Sequence, residues 1–207
     1  MKIWKLKSEL DKYDILMPTV PFTGDEIQSF DGRSHKDWTP LDVKRMYPEE
    51  NLPLSDAPGF TIPVFSENAV DALKYLMEGQ IELLNLNFKE KKYYGINVIN
   101  VLNVLDYENA EYKLFKSSGR IMKIMKYEFR VCDELYESNI FKIVDEPRSY
   151  VFVSNEFKQC VEDNNLTGFK FQLVWDSEKD WAIVFWIIIL WNYAVIDIAR
   201  MTLKCLC

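Results

Sequence analysis

The stretch Ile62-Pro-Val-Phe-Ser-Glu-Asn-Ala-Val-Asp-Ala-Leu-Lys-Tyr-Leu-Met-Glu-Gly79 carries most of the information about the fold. Ile62 to Phe65 reads as a short strand and Ser66 as a helix N-cap, because its hydroxyl can accept a hydrogen bond from an amide of the first turn. Glu67 to Met77 then reads as a helix with Val70, Leu73, Leu76 and Met77 on one face. Gly79 stops it. The same grammar returns at Tyr150-Val-Phe-Val153, Ser154 and a helical run with Phe157, Cys160 and Val161 at positions i, i+3 and i+4, before Gly168. Each unit feeds a further strand candidate, Ile81 to Leu86 and Phe169 to Val174. The two units are open to two readings, an internal duplication or the recurrence of a unit common in unrelated α+β proteins.

Outward from these units strands dominate. Met1 to Leu6 alternates apolar and polar residues at period two. Tyr93 to Ile99, Ile121 to Val131 and Ile140 to Val144 are further candidates, and the polar run Asp106 to Gly119 reads as a short helix or a hairpin connection. Asp14 to Gly59 is loop-rich, with short strand-like runs at Ile27 to Phe30 and Leu41 to Tyr47. Because strands and helices do not alternate strictly, the expected fold class is α+β: a mixed, mostly antiparallel sheet flanked by two or three helices. An apolar C-terminal helix is expected beyond it. The expected division is an α+β domain over 1–178 and an apolar tail over 179–207.

Composition narrows function. The chain has 207 residues, 25 Lys and Arg against 32 Asp and Glu, and a net charge of −7, which opposes attraction to nucleic-acid phosphates. One histidine, His35, cannot supply a two-imidazole zinc or iron site. Seven glycines, the nearest pair eight positions apart, leave no phosphate-cradling loop. The four cysteines form no Cys-x-x-Cys pair, and Met1 to Lys12 is charged where a secretory signal would be apolar, so a cytoplasmic location is expected. Cys132 and Cys160 read as buried thiols and His35 as a solvated or turn-bonded imidazole. Trp181 to Trp191 is uniformly apolar, and the stretch 181–199 reads as a membrane contact at the inner surface, as a buried element, or as an exposed apolar hazard.

A set of short motifs resembles the bacterial immunity proteins of polymorphic toxin systems. They are Phe30-Asp31-Gly32 with Trp38 and Pro40, Leu54-Ser55-Asp56, Pro63-Val64-Phe65-Ser66, Glu82 to Leu86, Tyr93-Tyr94-Gly-Ile-Asn97-Val98, Leu105-Asp106, and Leu166-Thr-Gly168-Phe-Lys-Phe171. Asn85 stands where the pattern leads one to expect proline. The resemblance spans residues 1 to 176 and implies a protein that binds and silences the toxin domain encoded beside it, with no cofactor and no catalysis. Phe30, Asp31, Gly32, Trp38, Asp56, Pro63, Ser66, Asn97, Asp106 and Gly168 are expected to be structural, Asp31-Gly32 and Asp56 serving turns. Acidic clusters are the expected toxin contacts: Glu49 with Glu50, Glu108 and Glu111 beside Asp106, and Asp133 with Glu134. The alternative is a nuclease-like, metal-dependent carboxylate enzyme in which Asp106 and Glu111-x-Lys113 hold magnesium.

Overall fold

The computed structural model describes residues 1–178, so the apolar tail, its expected helix, its membrane contact and the boundary at 178 lie outside the described residues. Twelve strands and four helices follow one another as β1 (Lys2–Ser8), β2 (Leu16–Pro18), α1 (Gly24–Gln28), β3 (Leu41–Arg45), β4 (Val64–Ser66), α2 (Glu67–Met77), β5 (Ile81–Asn87), β6 (Tyr93–Val98), β7 (Val101–Leu102), β8 (Glu111–Leu114), β9 (Ile121–Lys126), α3 (Asp133–Tyr136), β10 (Ile140–Ile143), β11 (Phe152–Ser154), α4 (Asn155–Asp163) and β12 (Phe169–Asp176). A 3₁₀ turn covers Pro48–Glu50. The α+β class and the mixed, mostly antiparallel pairing are what the sequence implies. The strands divide into a five-stranded sheet in the order β12-β1-β11-β10-β7, a second in the order β2-β3-β5-β6-β4, and the hairpin β8-β9. Among the described residues β10 pairs with β7 and β3 with β5 in parallel, against a majority of antiparallel pairs.

Both strand-Ser-helix units form, each strand starting two residues later than read, at Val64 and Phe152. Ser66 Oγ accepts from the Ala69 amide at 3.2 Å, and Ser154 Oγ from the Phe157 amide at 3.1 Å. Helices α2 and α4 lay their apolar stripes into one core, where Leu73, Met77, Phe157, Cys160 and Val161 meet Phe65, Ile96, Val98, Ile140 and Val153. A second cluster of Leu16, Val43, Val64, Leu86 and Tyr93 lies under the other sheet. Lys2–Trp175 forms one compact unit, and the Met1 amino group donates to Ser177 Oγ at 2.7 Å.

Some local readings change. Ile27 to Phe30 is not a strand: Thr23 and Glu26 form a reciprocal capping box that starts α1, and helix geometry wins. The run 121–131 ends as a strand at Lys126. Cys132 is half-buried and N-caps α3, whereas Cys160 is buried as expected. Helix α4 ends at Asp163 and turns at Asn165, whose φ of 51° provides the left-handed step, so Gly168 is not its stop. Strand β5 runs through Asn85, which pairs with Tyr94, and leaves the sheet only after Asn87.

Candidate functional site

The motif residues build two polar knots inside the compact unit. In the first, Asp56 joins three segments. Its Oδ1 accepts from Ser66 Oγ at 2.7 Å and Lys91 Nζ at 3.1 Å, and its Oδ2 accepts from the Thr167 amide at 3.0 Å and Thr167 Oγ1 at 2.9 Å. Burial opposes ionisation here, but these donors outweigh it and bring the carboxyl down to about 2. Tyr93 Oη donates to the Ser55 carbonyl at 2.6 Å, and Gly168, at φ +82°, lies so near Ser55 that a Cβ would fall 2.1 Å from its hydroxyl oxygen. Gly168 is therefore required by a close approach as well as by its backbone angle.

The second knot holds the loop from Phe30 to Trp38. The Glu82 carboxylate accepts from the Ser34 hydroxyl, from the His35 amide at 2.8 Å and from Asn97 Nδ2 at 2.9 Å; Asn97 also donates to the Arg33 carbonyl at 2.8 Å. Burial of Glu82 works against its charge, yet these bonds hold it below the usual carboxylate range. The guanidinium of Arg33 grips Asp31 at 2.7 and 2.9 Å and holds its carboxyl far below that range. Gly32, at φ +103°, sits where a Cβ would meet Val101 Cγ2 at 2.2 Å. Trp38 donates to the Asn85 carbonyl at 2.9 Å, and His35 is neither free in solvent nor only turn-bonded: it sits against Phe30, with ring centroids 4.8 Å apart.

The exposed apolar surface lies elsewhere. Among the described residues, half of the large hydrophobic side chains that face solvent come from residues 107–144: Tyr107, Leu114, Phe115, Met122, Met125, Val131, Tyr136 and Val144. Tyr107, Tyr112, Leu114 and Ile121 line a groove of about 480 Å³ with Val144, and Arg120 and Asp145 lie at it too. Tyr107 Oη donates to Asp145 Oδ1 at 2.9 Å, which fixes one wall. Aromatic residues, Met and Arg are the side chains that dominate the centres of protein interfaces.

The acidic candidates fall into separate places. Glu108 and Glu111 are exposed, on the turn before the hairpin and at the start of β8, and Asp133 and Glu134 are exposed on α3; Glu49 and Glu50 sit on the 3₁₀ turn after β3, in the other sheet's part of the chain. Asp106 is half-buried and spends its carboxylate on its own turn, accepting from the Glu108 amide at 3.0 Å and from the Asn109 side-chain amide at 2.8 Å. It does not join Glu111 in a metal cage, and no three His, Cys, Asp or Glu side chains converge as metal ligands among the described residues. The hairpin itself is basic, with five cations and one carboxylate between Glu111 and Lys126. Lys113 stands directly opposite Lys123, and Glu111 opposite Lys126.

A family model, described as "Immunity protein family (Imm11)", matches residues 64–176, from β4 to the end of β12 and so more than half of the chain. The chain belongs to the Imm11 immunity protein family. No curated protein matches it. Within the Imm11 span lie Ser66, Asn97, Asp106 and Gly168, the groove and the whole hairpin; Phe30, Asp31, Gly32, Trp38 and Asp56 precede it and are tied to it by the two knots, and Pro63 by its carbonyl, which accepts from the Ile96 amide at 2.8 Å. Among the described residues no helix of this Imm11 protein is long and apolar enough to cross a membrane. The motifs hold Asp31, Asp56, Ser66, Glu82, Tyr93, Asn97 and Thr167, but leave out two things: the knot partners Arg33, Ser34 and Lys91, and the buried Lys142. A lone charge inside an apolar strand, as in Ile140-Phe-Lys-Ile143, was the available signal for the second.

Proposed function

We propose that this Imm11 protein neutralises a toxin domain encoded beside it by direct binding and occlusion, through the face formed by the β8-β9 hairpin and the Tyr107–Val144 groove. The observation that carries this reading is the concentration of exposed Tyr, Leu, Phe and Met side chains in one segment whose groove is open at the surface. An inhibitor needs about 800 Å² of contact per partner and a few apolar anchors at its centre. Glu108 and Glu111, next in sequence to the groove residues Tyr107 and Tyr112, supply carboxylates, and the hairpin lysines supply the basic part, so the face presents charge of both signs for orientation. The reading requires no cofactor, no nucleic acid and no catalysis by this chain.

The test is co-expression of the neighbouring toxin domain with the full chain in a bacterial host, with survival and complex formation as readouts. Rescue and a stable 1:1 complex are expected. Tyr107→Ala combined with Leu114→Ala should lower affinity by about 100-fold, while Tyr75→Ala, an exposed tyrosine on α2, should leave rescue intact. A toxin that kills equally with and without this protein would overturn the reading.

A further inference from the structure

A second concavity, of about 200 Å³, is walled by Phe30, Phe60, Ile62 and Pro63 on one side and by the chain from Arg148 to Val151 on the other. Every charged residue lining it is basic, Lys7, Lys142 and Arg148, in a protein whose net charge is −7. Lys142 is only 6% exposed. Its ammonium donates to the Phe30 carbonyl, which engages one of its three protons. The nearby carboxylate of Asp31 is already gripped by Arg33, and Arg148 reaches it at 3.3 Å. Burial lowers the Lys142 amine to about 8, with the Asp31 charge opposing that shift, so the group remains mostly protonated at neutral pH.

A buried ammonium of this kind is costly unless an anion meets it. We propose that the cavity is a binding site for a carboxylate carried on a short apolar stem, the carboxylate seated on Lys142 with Arg148 at the rim and the stem against Phe30, Phe60 and Ile62. The apolar wall distinguishes this ligand from a bare phosphate, which would leave that wall unused. The carboxylate can come from a free small acid or from an acidic side chain of a bound protein, and the two sources are separable.

The experiment titrates the full chain with sodium butyrate, following amide and methyl NMR signals around the cavity, with inorganic phosphate as the comparison. Saturable millimolar binding confined to cavity signals is expected, weakened about tenfold by Arg148→Ala and lost in Lys142→Met. Arg148→Ala keeps the test decisive if Lys142→Met fails to fold, since Arg148 is half exposed. Absence of saturation below about 100 mM, equal binding by the Arg148 variant, or phosphate binding as tight as butyrate would each overturn the proposal. Competition by saturating butyrate against the toxin domain assigns the carboxylate to that partner; butyrate binding without competition assigns it to a free acid.

Discussion

Asp56→Asn tests the reasoning most directly, because it keeps the shape of the first knot and removes its charge. The carboxylate receives four hydrogen bonds, two on each oxygen, from Ser66, Lys91 and Thr167. In the variant, an amide nitrogen must face one of those donor pairs and leave it unpaired. The carboxyl lies at about 2 in the folded protein against an ordinary 3.8, a difference worth about 2.5 kcal/mol of stability at neutral pH. Because the folded value is depressed, this contribution is complete well above pH 4 and disappears as pH falls through the folded value; by pH 3 it is about 1.3 kcal/mol. For a domain of this size the loss corresponds to a Tm lower by about 5–10 °C at pH 7. Urea unfolding of both proteins between pH 7 and pH 3 reads the gap and its narrowing. A variant within about 2 °C of the parent at pH 7, or a gap that does not shrink toward pH 3, refutes the assignment of Asp56 as the charged centre of the knot.

Gly168→Ala should destabilise by more than about 3 kcal/mol, combining the left-handed backbone cost with the clash at Ser55, as read by urea midpoint. Adding Ser55→Gly should recover only part of this, since it removes the clash and leaves the backbone angle strained. Lys113→Glu converts the like-charge pair with Lys123 into an opposite-charge pair, so stability should rise by a few tenths of a kcal/mol; in the complex, the same change should weaken toxin affinity, as measured by calorimetry. Unchanged affinity would remove the hairpin from the binding face.

The sequence made the two strand-Ser-helix units legible because each is a local event: an N-cap hydroxyl three residues from its amide, and an apolar stripe at helical spacing. The capping box of Thr23 and Glu26 was equally local, but the apolar pair Ile27 and Phe30 drew the reading toward a strand. What period-two patterns do not encode is the partner of a strand. Assignment of β3 beside β5 and β7 beside β10 depends on contacts 40 or so residues apart in chain, and so the separation into two sheets was not readable. The Asp56–Thr167 contact spans 111 residues and is invisible for the same reason. The acidic clusters were read from charge alone, which marks exposure without marking function. The groove needed three-dimensional adjacency, since Tyr107, Leu114 and Val144 come from different segments.

The motifs that make the chain recognisable and the residues of the proposed toxin-binding face are largely different sets, and the reason is physical. Phe30, Asp56, Ser66, Asn97 and Gly168 are buried, and the Asp56 carboxylate, the Ser66 hydroxyl and the Asn97 side-chain amino group are bound into the knots, so substitution there damages the fold before it can alter a contact. Leu114, Phe115, Met122 and Met125 contribute little to the core and lie open on a two-stranded ribbon; an isolated ribbon of that kind is marginal unless one side rests on a body. Ile124, buried, and Tyr112, against Tyr107, provide that rest, which frees the outward residues to vary in chemistry without unfolding the hairpin. A scaffold fixed by internal polar knots and a ribbon held by one buried face therefore separates stability from recognition, and it follows that binding defects should be sought among the exposed hairpin residues and not among the motifs.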